Sequence, residues 1–297
     1  MEPPRVIDLH SHVTTPACQE LVEGLAPPLA DPFAFWSGEE TKAYNAAHFA
    51  AIVPQLTDPA RRLADMDRMG ITIQALSVAP PQYYYWTDPG LGRRLARRQN
   101  EHLAALVAGH PDRFVGLATV PLQDVDAAVA ELGVVVLLHP HGFTEGRRLM
   151  DYYLTNVIGN PLESTIAVSR LIHGGVLEEL PSLRLCVVHG GGYLPFYASR
   201  MDHAWRHRPE GRHHIPDRPP SSYLRRIYVD CLVYDPAHLA FLIQQMGPDR
   251  VVVGTDYPYD MGYDDPVGLV EATPGLAAQD RARILGGTAA TLLGLNR

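Results

Sequence analysis

Lysine is almost missing from this chain. Of its 25 basic residues only Lys42 is a lysine; the rest are arginines. Chemistry that needs a buried strand lysine, such as a Schiff base or a metal-bridging carbamate, therefore has a single candidate. Lys42 lies in the polar stretch SGEETKAYN, which reads as surface, so that chemistry is not expected. Cysteine is scarce as well. Cys18, Cys186 and Cys231 form an odd set without C-x-x-C spacing, which argues against a disulfide framework and fits reduced cysteines in the cytoplasm. No uninterrupted apolar run approaches the roughly 18 residues of a membrane span. The opening MEPPRVIDLH has no apolar leader core and leads directly into a strand, so no signal peptide is expected. Neither a G-x-G-x-x-G after that strand nor a P-loop is present, which disfavours a nucleotide-binding sheet. Positive charge is in deficit too: the formal net charge of −8 argues against nucleic acid as the main partner.

What is present describes one large globular unit. A chain of 297 residues with 46% hydrophobic content can bury a sizeable core, and α/β barrels reach this length as single domains. Seven apolar runs read as strands: RVIDLH, ITIQALSVA, RFVGLATVPL, GVVVLLHPHG, LRLCVVHGGG, RRIYVDCLVY and DRVVVGTDYPY. Helical patterns lie between most of them. DPARRLADMDRMGI is capped by Asp58 and closes at Gly70, GLGRRLARRQNEHLAALVAGHP is strongly amphipathic, and VDAAVAEL is short. Residues 14–57 read as a long irregular insertion, of the kind that forms lids or entry loops. Strands alternating with helices over short connections imply a parallel sheet with helical cover, and runs such as GVVVLL imply strands buried on both faces. The expected fold is α/β, a (β/α)8-type barrel forming one domain over residues 1–297.

The strand ends carry the chemistry. His10 and His12, two apart at the end of the first strand, share a face. Taken alone they are either ordinary loop histidines or half of a metal site. The other runs narrow the choice: the fourth strand ends in His139, the fifth in His189 followed by three glycines, and the seventh in Asp256. In a β/α barrel the C-terminal strand ends converge on one mouth, where active sites sit. Four histidines and an aspartate facing each other there suit Zn²⁺ or a similar divalent cation.

The combination of DLHSH, LLHPHG, VVHGGGYLPFYASRMDHAWRHR and RVVVGTDYPY resembles the decarboxylase branch of the amidohydrolase superfamily. That branch includes aminocarboxymuconate-semialdehyde, resorcylate-type and carboxyvanillate-type decarboxylases. The resemblance covers nearly the whole chain. It implies one divalent metal, Zn²⁺ before Mn²⁺, held by His10, His12, His139 and Asp256, with His189 as the acid/base histidine and no redox cofactor. It further implies that Arg200 reaches a substrate carboxylate, sometimes across a dimer interface, and that His141 lines the pocket. Two-metal amidohydrolases usually bridge their ions with a carboxylated lysine, so the lone Lys42 agrees with a mononuclear site.

Two departures stand out. Decarboxylases of the branch it resembles carry a substrate-binding arginine where this chain has Ala50. A βα unit of roughly 30–40 residues is also expected to be missing before GVVVLLHPHG, leaving seven strands. The expected function is metal-dependent, non-oxidative decarboxylation of a small unsaturated or aromatic carboxylic acid by a cytoplasmic homodimer or larger homo-oligomer. A hydrolase or hydratase of a lactone, amide or enol acid is the alternative on the same scaffold, and an inactive barrel serving as a binding subunit is the third.

Overall fold

Parallel strands organise the computed structural model, which describes residues 5–27, 29–123 and 135–295. They are β1 (Ile7–Val13), β2 (Ile73–Val78), β3 (Phe114–Gly116), β4 (Val135–Leu138), β5 (Arg184–Val187), β6 (Tyr228–Asp230) and β7 (Val251–Val252). Each begins in one of the seven apolar runs. Several are shorter than their runs, because the run's end leaves the ladder to carry a loop at the barrel mouth.

Hydrogen bonding orders the strands as β1-β2-β3 and β4-β5-β6-β7, and every pair is parallel. Bridges between Asp8 and Val253 and between Ser11 and Tyr257 set β1 beside the chain that continues β7. The order around the structure is therefore β3-β2-β1-β7-β6-β5-β4. Among the described residues no ladder joins β3 to β4. The intervening segment 124–134 lies outside the described residues; it contains the whole of the expected helix VDAAVAEL and the seam of the expected skipped unit.

Packing shows how far the sheet curves. One apolar cluster draws Ile7, Leu9, Ile73, Ala75, Val115, Val135, Leu137, Cys186, Tyr228 and Val252 together with Ala289 and Leu292. Side chains from all seven strands can meet in this way only inside a sheet rolled on itself, and the helix Thr288–Leu293 packs against them. A larger cluster, including Leu76, Phe114, Val187, Val229, Val251, Leu239 and Ile284, fills the layer between the strands and the outer helices.

The stretch 14–57 departs from the irregular reading. Pro16–Val22, Pro32–Phe35 and the 19-residue Glu39–Thr57 are helical. The longest of them hid its character. It buries only Ile52 and Leu56 and carries Pro54 in its last turn, so the apolar stripe that marks a packed helix is largely absent. Asp58 caps the next helix, Pro59–Arg68, by accepting from Ala60 N at 2.9 Å, as the sequence predicts.

Candidate metal centre and the cavity above it

β1 aims its histidines through an irregularity. Its pairing with β2 shifts register between Asp8 and Ser11. A bulge of this kind re-aims the side chains that follow it. Ile7 and Leu9 pack into the interior cluster, and past the shift His10 and His12 also reach the central site. Asp8 serves a neighbouring polar network. It is fully buried and accepts from Gln74 Nε2 (2.8 Å), Thr255 Oγ1 (2.7 Å) and His10 N (3.0 Å). Gln74 Oε1 in turn accepts from the buried Arg62 (2.8 Å), whose guanidinium also donates to the carbonyls of His12 and Gln55. The peptide groups around His10 and His12 are thus tied to the outer helix Pro59–Arg68.

The five side chains singled out at the strand ends come together. One ligating atom each of His10, His139, His189 and Asp256 lies within 4.8 Å of the other three. His12 Nε2 completes the group, 3.2 Å from His10 Nε2 and 3.2 Å from Asp256 Oδ1. Asp256 Oδ2 faces His189 Nε2 at 3.7 Å.

The partners of the other ring nitrogens fix the tautomers. His10 Nδ1 sits 2.8 Å from the Asp230 carboxylate, and His139 Nδ1 lies 2.8 Å from the Pro140 carbonyl. Neither acceptor can donate. Ser77 Oγ, 3.0 Å from His12 Nδ1, gives its own proton to the Ser11 carbonyl and accepts from the imidazole. Each of the three rings therefore carries its proton on Nδ1 and offers an Nε2 lone pair, as metal-ligating histidines do. Asp256 Oδ1, between His10 Nε2 and His12 Nε2, is buried without a hydrogen-bond partner. Three neutral imidazole nitrogens and an unsatisfied carboxylate oxygen fit Zn²⁺ or Mn²⁺.

Electrostatics agree with that donor set. Burial pushes the His12 imidazole down and the His139 imidazole well below its ordinary value, which keeps both neutral. For Asp256, burial disfavours charge, but His10, with His12 and His189 facing the same carboxylate, outweighs it and holds the carboxyl well below the usual range. His10 moves the other way: burial opposes protonation, yet the charges of Asp256 and Asp230 raise its pKa.

Asp230 escaped the reading of the sequence. Its Oδ2 takes His10 Nδ1 and His189 N (3.0 Å), while Oδ1 accepts from Gly190 N (2.7 Å) and Leu232 N (3.2 Å). One buried carboxylate thus joins a candidate ligand on β1 to the loop that carries His189. That loop needs holding, because His189 has φ of +56° and Asp256 has the same value. Left-handed backbone at a non-glycine residue costs about 1–3 kcal/mol and persists only where the surroundings enforce it. Asp256 is held by its own N–H, which donates to the His10 carbonyl at 2.9 Å. Close packing enforces the rest: a Cβ on Gly254 would fall 2.6 Å from that of Asp230 and 2.9 Å from that of His10. The signal available in the sequence was an aspartate ending the sixth strand, the same position class as the others.

Above the cluster opens a cavity whose space, including its part open to solvent, is about 660 Å³, lined by His139 and Asp256 together with residues from the helices of segment 14–57 and from the loops after β2, β4 and β7. His141 lines it, as expected, and Tyr83 lies 5.6 Å from the His141 ring and 6.3 Å from that of His139. His48 also lines the cavity, and its Nε2 is buried without a partner. Ala50 is exposed on the same helix. Arg200 is not brought to the cavity of its own chain; it is exposed on the helix Leu194–His207.

A parallel barrel with a histidine–aspartate cluster at its C-terminal mouth is the architecture of a metal-dependent enzyme scaffold. The family model described as Amidohydrolase matches residues 7–132 and 125–295, and the chain belongs to that family. It is 30% identical to the 2-amino-3-carboxymuconate-6-semialdehyde decarboxylase of Dictyostelium discoideum over 84% of this chain and 80% of that protein. Among solved structures, the 5-carboxyvanillate decarboxylase of Sphingomonas paucimobilis superposes with a TM-score of 0.79 at 23% identity, covering 98% of this chain and 99% of that one. The dihydroxybenzoic acid decarboxylase of Polaromonas sp. JS666, solved with manganese and the inhibitor 2-nitroresorcinol, gives a TM-score of 0.79 at 23% identity, with 99% and 98% covered.

Proposed function

We propose that this protein is a metal-dependent, non-oxidative decarboxylase of a small unsaturated or aromatic carboxylic acid. One divalent cation, Zn²⁺ or Mn²⁺, would be held by His10, His12, His139 and Asp256. The observation that carries the reading is the set of three imidazoles committed through Nδ1, with their Nε2 edges gathered around Asp256 on the floor of the cavity. The decarboxylase names of the relatives support it, and the manganese in the Polaromonas structure supports a cation of that class.

When bound, the cation polarises a substrate oxygen and lowers the pKa of a bound water. The chain's own residues do the rest. His189 presents Nε2 toward Asp256 Oδ2, and its Nδ1 has no partner. It delivers a proton to the carbon that carries the carboxylate. The electron pair of the C–C bond then returns to that carbon's π system as CO₂ leaves. Asp256, ionised in its cage of imidazoles, stabilises the protonated His189, and a proton from solvent restores His189 after each turnover. His141 lines the binding cavity.

Arg200 is assigned to the substrate carboxylate of a neighbouring subunit in a homodimer. Phe196 on the same helix is 73% exposed and lies 6.1 Å from the ring of Phe241, which gives this face the apolar character of an interface. Three free, buried cysteines suit a reducing compartment, and we place the protein in the cytoplasm.

Metal analysis of the wild type beside the double variant His10→Ala, Asp256→Ala tests the assignment. About one cation per chain, lost in the variant, and CO₂ released from aromatic acids are the expected results. A wild type that takes up no divalent cation even after reconstitution would sink the catalytic reading. Turnover of a lactone or amide without CO₂ would redirect it to a hydrolase.

A further inference from the structure

We infer that Arg62 is a positioning residue of this site: from the outer helix Pro59–Arg68 it ties the metal ligand His12 to the wall helix Glu39–Thr57, so that a cation bound on the floor stiffens the wall. The inference rests on the metal assignment made above.

The setting of Arg62 differs from that of its neighbours. Arg61 and Arg68, on the same helix, are about half exposed and pair with Asp65. Arg62 is 3% exposed and makes no ion pair among the described residues. Its guanidinium donates instead to three neutral acceptors: Gln74 Oε1 at 2.8 Å, the Gln55 carbonyl at 3.0 Å and the His12 carbonyl. It also lies over the Tyr257 ring, 4.8 Å from its centre. Carboxylates reach it only at one remove, since Gln74 Nε2 donates to Asp8 and the Tyr257 hydroxyl donates to Asp65. Burial pulls its pKa down to about 10, so the fork stays charged at neutral pH. A buried charge without an ion pair costs stability that an apolar side chain of similar volume would not. What the charge supplies is a junction.

Gln55 lies in the last turn of Glu39–Thr57, where carbonyls lack partners inside the helix. The helix is fixed at this end, because it buries only Ile52 and Leu56, and the Leu56 carbonyl accepts from Thr14 N at 3.3 Å. A bond from Gly38 N to the Met150 carbonyl (3.0 Å) steadies the other end. Asn45, His48 and Phe49, which line the cavity, sit on the span between these supports. Through Arg62 the Gln55 end leads to the floor: His12 carbonyl, guanidinium, Gln55 carbonyl. A cation that fixes the His12 ring also restrains its peptide, and the rigid fork passes that restraint to the helix. A lysine ammonium carries the charge but lacks the planar fork that holds separated acceptors at once.

Hydrogen exchange across Glu39–Thr57, with and without saturating Mn²⁺, tests this in the wild type, Arg62→Lys and Arg62→Met. In the wild type Mn²⁺ should slow exchange between Asn45 and Thr57 about tenfold. Arg62→Met should still take up the cation, since the four ligands remain, with affinity about tenfold lower and no slowing in the helix. Arg62→Lys, the milder change, should likewise lose the slowing. A purely structural Arg62 would lower thermal stability in the variants and leave the Mn²⁺-dependent slowing intact. Equal slowing in all three proteins, or none in a wild type that has bound Mn²⁺, would overturn the inference. Failure of the metal assignment shows separately, as a wild type that takes up no cation. In that case, exchange at residues 52–57 no faster in Arg62→Met than in the wild type would overturn the tie to the helix as well.

Discussion

The floor and the wall of the cavity are built on opposite rules. On the floor, buried polar groups are committed to one another: Asp230 uses both oxygens on four donors, Asp8 accepts from Gln74, Thr255 and His10, and three histidines have their Nδ1 sides fixed. On the wall, His48 Nε2 is buried without a partner, and two carboxylates line a space where the described residues include no lysine or arginine. A saturated network rigidifies, whereas unsatisfied groups beside a cavity await a ligand. The difference separates chemistry, held by the floor, from selection, left to the wall. It also locates the unsaturated exceptions on the floor: Asp256 Oδ1 and His189 Nδ1, the atoms that cation and proton chemistry would use.

The sharpest break in that comparison is removal of the proton donor while its frame is kept. His189→Asn should lower kcat by about 10² to 10⁴-fold, the usual range for a lost general acid, with metal content unchanged. A variant that retained full kcat would show that the floor does its chemistry without His189.

Next in size is Asp230→Asn, which keeps the shape and removes the charge. The amide nitrogen must face either His10 Nδ1 or the backbone donors of the His189 loop, and both positions now hold N–H groups. Accommodating it would flip His10 to the tautomer whose Nε2 carries the proton. Metal affinity should fall about 10–100-fold, the range seen when a ligand's orienting partner is lost. A weaker kcat with unchanged affinity would confine Asp230 to the loop alone.

The smallest effect is continuous. Asp256 and Asp230 raise the pKa of His10 against burial, while His12 and His139 are lowered. Below the raised His10 value the metal must displace a proton from that ring, so affinity should drop about tenfold per pH unit as the solution is acidified and level off above it. His12 and His139 should add to the slope only at lower pH. Titrations between about pH 5 and 8 would show this, and a pH-independent affinity would mean that His10 is not a ligand.

Much of the floor was legible because barrel geometry converts a local rule into a spatial one. Strand-ending residues converge, so His10, His12, His139, His189 and Asp256 could be named from runs of valine and leucine and the polar residue that stops each. Asp230 obeyed the same rule and was overlooked, because a lone aspartate after YV offers no pair to notice. The wall was illegible for a different reason. His48 sits on a helix that buries only Ile52 and Leu56, so no periodic stripe marked Glu39–Thr57 as an element or His48 as facing inward. Arg200 shows the limit from the other side: its place in the family's motif is readable, but the single chain leaves it on the surface.

By itself the sequence determined the parallel barrel, the family and the residue types at the cavity floor, since apolar period and strand-end chemistry are local properties of the chain. Only the tertiary structure decided which imidazole nitrogen faces inward, that one aspartate joins His10 to the His189 loop, and that the cavity wall carries Asp31 and Asp260. Tautomers, hydrogen-bond partners and the charge of a cavity wall depend on groups far apart in the chain, and they exist only once folding has brought those groups within a few ångströms.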